Sequence, residues 1–132
     1  RRPQRGLGVG IALLDLDHFK RINDVHGHAS GDRVLATVGA LLREQLGSCG
    51  MAARYGGEEF VALLPDMPPE QAAQVCEGLR RAVAGLSLDY PVTISIGLAM
   101  LRDGESADQA LVRADAALYR AKARGRDRVE LD

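Results

Sequence analysis

The segment GLGVGIALLDL (residues 6–16) decides the fold. Successive side chains of an extended chain point to opposite faces of a sheet. Both faces of this segment are apolar, which is typical of a central strand with helices packed on both sides. One face carries Val9, Ile11 and Leu13, and the other carries Ala12, Leu14 and Leu16. The apolar pattern ends at Asp15 and Asp17, which predicts two carboxylates at the end of the strand.

Helix and strand patterns alternate outward from this strand. The predicted elements are helices at His18–Asp24 and Asp32–Leu46, strands at Met51–Tyr55 and Glu59–Leu64, a helix ending near Ala84, a strand at Val92–Met100, a helix from Ser106 to about Gly125 and a weak strand at Arg128–Leu131. Gly56 and Gly57 separate two short strands, and glycine tolerates the positive φ that tight hairpin turns require. The order β-α-α-β-β-α-β-α-β predicts an α+β fold, a central mixed sheet flanked by helices.

The composition is that of an ordinary globular domain and argues against two classes of protein. The chain has 132 residues, and its 17 Lys+Arg against 18 Asp+Glu leave a formal net charge of -1. A nucleic-acid-binding domain would show a basic excess, so we expect no nucleic-acid partner. The longest apolar run, Val9 to Leu14, falls far short of the ~20 residues of a membrane helix, so we expect no membrane contact. Cys49 and Cys76 lack metal-ligand spacing and are predicted to be free thiols.

Four carboxylates are predicted at strand ends, namely Asp15, Asp17, Glu58 and Glu59. If the first strand and the hairpin are neighbours, these groups form a cluster that resists joint ionisation unless a cation is bound. Carboxylate oxygens suit Mg²⁺ or Mn²⁺, with water and phosphate completing the coordination shell. The alternative is that the four groups are solvated strand ends.

Basic side chains near the carboxylates are candidate phosphate ligands. Lys20 follows the first acidic pair, and Lys122 and Arg126 are four residues apart, so a continuous helix would place them on one face. An ordinary basic helix end is the alternative explanation for Lys122 and Arg126. Lys20 and Arg54 are the cations nearest to the carboxylates in sequence, too few to neutralise them.

Three polar residues precede the long predicted helix. Asn23, His28 and Asp32 are spaced through a glycine-containing loop. Asparagine and aspartate can recognise a purine edge through donor and acceptor atoms. The alternative is a role in turns and as a helix N-cap, which would suit Asp32.

Five ordered sequence blocks resemble those of GGDEF domains. RYGGEEF (54–60) looks like the family signature in its GGEEF form, and DLDHFKRIND (15–24) with GH (27–28) and GD (31–32) looks like the metal- and guanine-binding stretch. The later blocks are VTISIG (92–97), ADAALYRAK (114–122) and GR (125–126). The resemblance covers about residues 9–130, and we take 1–132 as one such domain.

The resemblance implies a diguanylate cyclase, which condenses two GTP into cyclic di-GMP and releases two pyrophosphates. The implied fold is palm-like, similar to nucleotidyl cyclases and to ferredoxin-like proteins. Each domain of the family holds one GTP, so a homodimer is implied for turnover, with Mg²⁺ or Mn²⁺ as the cofactor. The implied setting is cytoplasmic, free or as the cytoplasmic part of a membrane-attached sensor, with an upstream sensor or receiver module.

The resemblance also implies roles for individual residues. Asp15, Glu58 and the Leu16 carbonyl are expected to ligate the metal. Glu59 is expected to bind metal or to help deprotonate the ribose 3′-hydroxyl, and the base stays open between Glu58 and Glu59. The implied nucleotide-binding positions are Asn23, His28 and Asp32 near guanine, Lys122 and Arg126 at the triphosphate, backbone N–H groups near Phe19 and Lys20, and Gly56 and Gly57, where the backbone approaches the nucleotide.

The chain departs from the family pattern at two places. The N-terminal Asp-x-Leu-Thr segment is missing, so we expect either an excised fragment or a divergent member of the family. The Arg-x-x-Asp product-inhibition site is replaced by GSCG (47–50), so we expect no feedback binding there.

Two alternatives to an active diguanylate cyclase stay open. One is a catalytically silent GGDEF module that binds GTP or cyclic di-GMP and regulates a fused partner. The other is a small interaction domain with acidic tips.

Overall fold

The elements of the computed structural model follow the predicted order. The structure describes residues 7–132, so the predicted start of the first strand at Gly6 lies outside the described residues. The elements are β1 (Gly8–Leu16), α1 (Phe19–His26), α2 (His28–Leu46), β2 (Met51–Arg54), β3 (Glu59–Met67), α3 (Pro69–Ala84), β4 (Ile94–Met100), α4 (Ala107–Ala123) and β5 (Val129–Leu131).

The five strands form one mixed sheet in the order β2-β3-β1-β4-β5. β1 is central and antiparallel to both of its neighbours, β3 and β4. β2 is antiparallel to β3, whereas β5 is parallel to β4. The prediction of a central β1 is confirmed, and the central position explains why this strand is apolar on both faces.

Helices cover both faces of the sheet. The main apolar cluster joins α2 and α3 to one face through side chains such as Leu14, Val38 and Ile96. The smaller cluster joins α4 to the other face and consists of Leu13, Ala99, Ala114 and Leu118, with Val61 and Leu111 packed against it. Asp15 alternates with Leu14 along β1, so its side chain lies on the face that α4 covers.

α4 lies unusually close to β4 because of Gly97. A Cβ atom at Gly97 would lie 2.2 Å from the Ala114 carbonyl oxygen and 2.3 Å from the Leu118 nitrogen. Both of these atoms belong to the helix backbone, which cannot rotate away as a side chain can. The glycine therefore sets the distance between α4 and the sheet, and with it the position of Lys122 near the helix end.

Two predicted helix boundaries are wrong in ways that affect the candidate site. α2 begins at His28 and not at Asp32, and its N-cap is Gly27, which has a φ of 90°. Asp32 is therefore in the second turn, and the alternative N-cap role for it is excluded. α4 ends at Ala123, so Arg126 is not on the helix face with Lys122.

The hairpin between β2 and β3 is confirmed, but the predicted turn geometry is wrong. Gly56 and Gly57 do not have the positive φ expected of them. The hairpin has a longer tip, in which the Tyr55 N–H donates to the Glu59 carbonyl at 2.8 Å. The Arg54 guanidinium donates to the Gly57 carbonyl at 2.6 Å. Arg54 is thus engaged with the tip backbone.

Three further features concern the start of α4, the two cysteines and the length of the helices. Ser106 and Gln109 form the predicted capping box at the start of α4. Cys49 and Cys76 are free, as predicted, and Cys76 is buried. Within residues 7–132, no helix is both long enough and apolar enough to cross a bilayer.

Candidate active site

The first strand and the hairpin tip are neighbours, which is the condition under which the sequence predicts an acidic cluster. Asp15 on β1 pairs with Glu59 on β3. One residue further, the Leu16 N–H donates to the Glu58 carbonyl at 3.3 Å. Directly opposed strand residues have Cβ atoms about 4.5–5.5 Å apart. The acidic residues of β1 and of the hairpin therefore meet at one end of the sheet.

A cleft of about 520 Å³ opens at this end of the sheet, between the end of β1, the start of α1 and the end of α4. Eight residues that the sequence singled out line it: Asp15, Leu16, Asp17, Phe19, Lys20, Glu58, Lys122 and Arg126. The other lining residues are His18, Arg21 and Asp24. The cleft thus combines carboxylates, several cations and the N-terminus of α1.

Lys122 supplies a cation that sequence proximity did not reveal. Its Nζ donates to an Asp15 carboxylate oxygen, and the Asp15 side chain is only 7% exposed. Lys20 and Arg54 are nearest to the carboxylates in sequence, but Lys122 is the cation that contacts Asp15 in the fold. Family resemblance was the only signal that placed Lys122 at this site, because α4 is far from β1 in sequence.

The pKa values of the carboxyl groups in and beside the cleft are raised above their usual values. Burial raises the pKa of Asp15 above 3.8, although the hydrogen bond from Lys122 opposes this. Burial also raises the pKa of Glu58 above 4.5, and the charge of Asp15 adds to the effect. The pKa of Glu59 is raised by the same two causes. Lys122 alone therefore does not neutralise the site, and a further cation would stabilise it.

Glu58 and Glu59 lie beside different cavities. Glu58 lines the 520 Å³ cleft with Asp15 and Lys122. Glu59 lines a second cavity of about 390 Å³, whose other residues are Leu13, Tyr55, Asp108, Leu111, Val112 and Asp115. Glu58 is therefore the glutamate that shares a cleft with the cationic side chains.

The donor set of the cleft fits a magnesium ion. Within residues 7–132, no group of three or more His, Cys, Asp or Glu side chains is arranged to hold a metal. Asp15 and Glu58 provide two carboxylates, and Leu16 lines the same cleft. Mg²⁺ is usually held by one or two carboxylates, with waters and substrate phosphates as the remaining ligands. The raised pKa values of both carboxyl groups mean that their charged forms are disfavoured, and a bound cation would stabilise those forms.

The three predicted guanine-binding residues lie outside the cleft lining, on α1 and α2. His28 and Asp32 are exposed and one turn apart on α2. Asn23 is on α1, and among the buried side-chain oxygen and nitrogen atoms of residues 7–132 only its Oδ1 lacks a hydrogen-bond partner. Such unsatisfied groups are rare in folded proteins and call for an explanation such as a functional role.

Gly56 and Gly57 also lie outside the cleft lining, at the exposed hairpin tip. A Cβ atom at Gly57 would meet nothing within 4 Å, and one at Gly56 would meet only Glu59 Oε1, at 3.5 Å. The fold itself therefore does not require glycine at either position.

Asp17 has a different role from the other predicted carboxylates. It is 6% exposed and accepts hydrogen bonds from Thr93 Oγ1 at 2.7 Å and Ser95 Oγ at 2.6 Å. It also accepts from the Asp127 N–H at 3.0 Å. Asp17 therefore ties β1 to β4 and to the turn after α4. The alternating polar side chains of residues 93 and 95 were the available signal for this role.

Comparison with known proteins identifies the family. The family model described as "Diguanylate cyclase, GGDEF domain" matches residues 1–128. The chain belongs to the GGDEF family. This GGDEF domain is 43% identical over 136 aligned positions to diguanylate cyclase DgcP of Pseudomonas aeruginosa, covering 99% of the chain and 20% of that protein. It is 44% identical over 121 positions to diguanylate cyclase DgcM of Escherichia coli, covering 90% of the chain and 30% of that protein. The GGDEF domain thus spans a minor part of these relatives.

Solved structures confirm the predicted palm-like α+β fold. The GGDEF domain of DgcB from Caulobacter crescentus, in complex with c-di-GMP, superposes with a TM-score of 0.90 at 37% identity, over 96% of this chain and 79% of that one. The active GGEEF domain of a diguanylate cyclase from Vibrio cholerae superposes with a TM-score of 0.84 at 32% identity, over 93% and 81%.

Proposed function

We propose that this GGDEF domain is a diguanylate cyclase, which holds one GTP with Mg²⁺ and joins it to a second GTP held by another copy. The observation that carries the proposal is the convergence of Asp15, Glu58, Lys122 and Arg126 on one cleft beside the N-terminus of α1. The family membership and the relatives named diguanylate cyclase support it.

The cleft offers two kinds of group that bind a triphosphate. Lys20, Lys122 and Arg126 supply positive charge along its wall. The first N–H groups of a helix have no partner within the helix, so those of α1 near Phe19 and Lys20 are available to phosphate oxygens. Asp15 would hold the metal, and Lys122, which contacts Asp15 here, would then be available to the phosphates.

Asn23, His28 and Asp32 lie on the two helices next to the cleft, where they would hold the guanine base. Asp32 is exposed and can accept two hydrogen bonds from one base edge. The hairpin tip, with Gly56 and Gly57, leaves room for the nucleotide because neither glycine carries a side chain.

The reaction forms a bond between a ribose 3′-oxygen and the α-phosphorus of the other GTP, and breaks the bond to pyrophosphate. Two such steps close the ring. A bound Mg²⁺ would lower the pKa of the hydroxyl and stabilise charge on the phosphates. The hydroxyl proton passes to a carboxylate, and a raised pKa suits Glu58 or Glu59 to that task. The shared cleft favours Glu58 for contact with the metal and phosphates, and Glu59 remains a candidate base.

Cyclic di-GMP formation is expected to rise more steeply than linearly with protein concentration, because each domain contributes one substrate. The measurement is the initial rate of product formation from GTP and Mg²⁺ over a series of protein concentrations. A rise that stays linear throughout contradicts the paired arrangement. GTP binding with no product at any concentration, even after fusion to a dimeric partner, contradicts cyclase activity and leaves a silent nucleotide-binding module.

GTP is expected to be used at least about 10²-fold better than ATP, because a carboxylate at Asp32 accepts from guanine N1–H and N2–H₂, which adenine does not offer. The measurement compares products from GTP alone, ATP alone and an equal mixture. Asp32→Ala is expected to reduce the preference, and Glu44→Ala, at another exposed position of α2, serves as the control. Cyclic GMP-AMP as the main product of the mixture would contradict the assignment.

A further inference from the structure

The turn that carries Arg126 has an unusual backbone. Gly125, Arg126 and Asp127 have φ values of 119°, 64° and 47° in succession. Residues with a Cβ atom adopt positive φ rarely, and such conformations persist only where surrounding contacts hold them. Arg126 and Asp127 therefore need an external restraint, and that restraint decides where the Arg126 side chain lies.

Three contacts provide this restraint. The Arg126 N–H donates to the Ala121 carbonyl at 2.9 Å, which joins the turn to α4. The Asp127 N–H donates to the buried Asp17 carboxylate at 3.0 Å, which joins it to the end of β1. The Asp127 carboxylate accepts from Arg80 Nη1 at 2.7 Å, which joins it to α3.

Arg80 is well placed to act as an anchor. Its Nε and Nη2 donate to the two carboxylate oxygens of Glu77 at 2.8 and 2.7 Å, so the guanidinium is already oriented by its own helix. The Arg80 side chain is 19% exposed and that of Asp127 is 44% exposed, so the pair is partly screened by solvent. Arg80 does not line the cleft, whereas Arg126 does.

We propose that Arg80 is a positioning residue for nucleotide binding: through Asp127 it holds the turn that presents Arg126 to the triphosphate. This inference rests on the proposed function, since it presupposes that the cleft binds GTP. It assigns a role in the site to a residue of α3, which packs on the opposite face of the sheet from α4. Asp17 acts on the same turn through the Asp127 N–H.

Substitution of Arg80 should weaken phosphate binding selectively. Arg80→Gln is expected to lower the affinity for a non-cyclisable GTP analogue with Mg²⁺ about tenfold, because the ion pair that orders the turn is lost. The affinity for guanosine should stay unchanged, since guanosine has no phosphate for Arg126 to hold. Arg80→Lys keeps one charged contact and should restore part of the affinity.

The neighbouring arginine offers a matched control. Arg81 also pairs with Glu77, at 2.9 Å, but its side chain is 75% exposed and the structure gives it no contact with Asp127 among the described residues. Arg81→Gln makes the same charge change one residue away, and should leave the affinity for the analogue as it is. Asp127→Asn breaks the ion pair from the other side, and asparagine accepts positive φ readily, so it should match Arg80→Gln.

The experiment measures binding of the analogue and of guanosine by calorimetry or NMR titration, with the melting temperature of each variant. Arg80→Gln is repeated in an Arg126→Ala background, where it should add no further loss if it acts through Arg126. The inference would be overturned if Arg80→Gln bound the analogue as tightly as Arg81→Gln does. It would also be overturned if Arg80→Gln lost as much affinity for guanosine as for the analogue, or if its loss added to that of Arg126→Ala. If the unsubstituted domain did not bind the analogue, both the proposed function and this inference would be overturned.

Discussion

Glu58→Ala is expected to lower cyclic di-GMP formation roughly 10³-fold or more, while the domain stays folded. Glu58 is one of four carboxylates that line the cleft with Lys122 and Arg126, the others being Asp15, Asp17 and Asp24. Its loss removes one of the two carboxylates, Asp15 and Glu58, that we propose as metal ligands. The rate is measured with GTP and Mg²⁺ at a concentration where the unsubstituted domain is active, and folding is checked by circular dichroism.

Glu58 is expected to be needed for activity, but its carboxylate is expected to destabilise the metal-free fold at neutral pH. Because folding raises the pKa of Glu58 above 4.5, the folded state binds more protons than the unfolded state between the two pKa values. This contribution to stability is present below pH 4.5 and is lost as pH rises through the folded pKa. In metal-free solution at neutral pH, Glu58→Gln should therefore melt at the same temperature as the unsubstituted domain or slightly higher.

Glu44→Ala on α2 is the control for both measurements, since its exposed side chain lies away from the cleft. It should retain full activity. Substantial product from Glu58→Ala would remove Glu58 from the metal site. A marked fall in the melting temperature of metal-free Glu58→Gln would contradict the destabilising effect that we infer from the raised pKa of Glu58.

Gly97→Ala is expected to destabilise the domain by about 3 kcal/mol, near the upper end of overpacking effects. The added methyl group would lie 2.2 Å from the Ala114 carbonyl oxygen and 2.3 Å from the Leu118 nitrogen, so α4 must move off the sheet. On the scale of one such domain this lowers the melting temperature by roughly 10 °C. The movement also separates Lys122 from Asp15, so activity should fall at temperatures where the variant is still folded.

Gly78→Ala is the matched control, because a Cβ atom there would meet nothing within 4 Å. Alanine stabilises the interior of a helix by roughly 0.5–1 kcal/mol relative to glycine, so this variant of α3 should melt slightly higher. Thermal unfolding of both variants, followed by circular dichroism, tests the contrast. Equal melting temperatures would show that α4 can move away from β4 without cost.

Local patterns predicted most of the fold and the acidic half of the site. The apolar faces of β1 and the strand signals on both sides of Gly56 and Gly57 placed Asp15 and Glu58 at strand ends, and the pairing of β1 with β3 brings them together. Each of these signals lies within a short segment, where side-chain periodicity reports burial directly. The family resemblance then added Lys122, which no local pattern connected with β1.

Contacts between distant segments could not be predicted in this way. The four-residue spacing of Lys122 and Arg126 suggested one helix face, but α4 ends at Ala123 and a turn with positive φ carries Arg126 to the cleft. The restraint on that turn joins Asp17, Arg80 and Asp127, which belong to three separate parts of the chain. No periodicity records such a contact, because each residue is an ordinary polar side chain within its own segment.

The contact between Lys122 and Asp15 joins two residues from opposite ends of the chain. A partly folded chain that lacked α4 could bring Asp15, Glu58 and Lys20 together but would lack Lys122. The proposed GTP site is therefore complete only in the folded domain, and a bound nucleotide would shift the folding equilibrium toward that state.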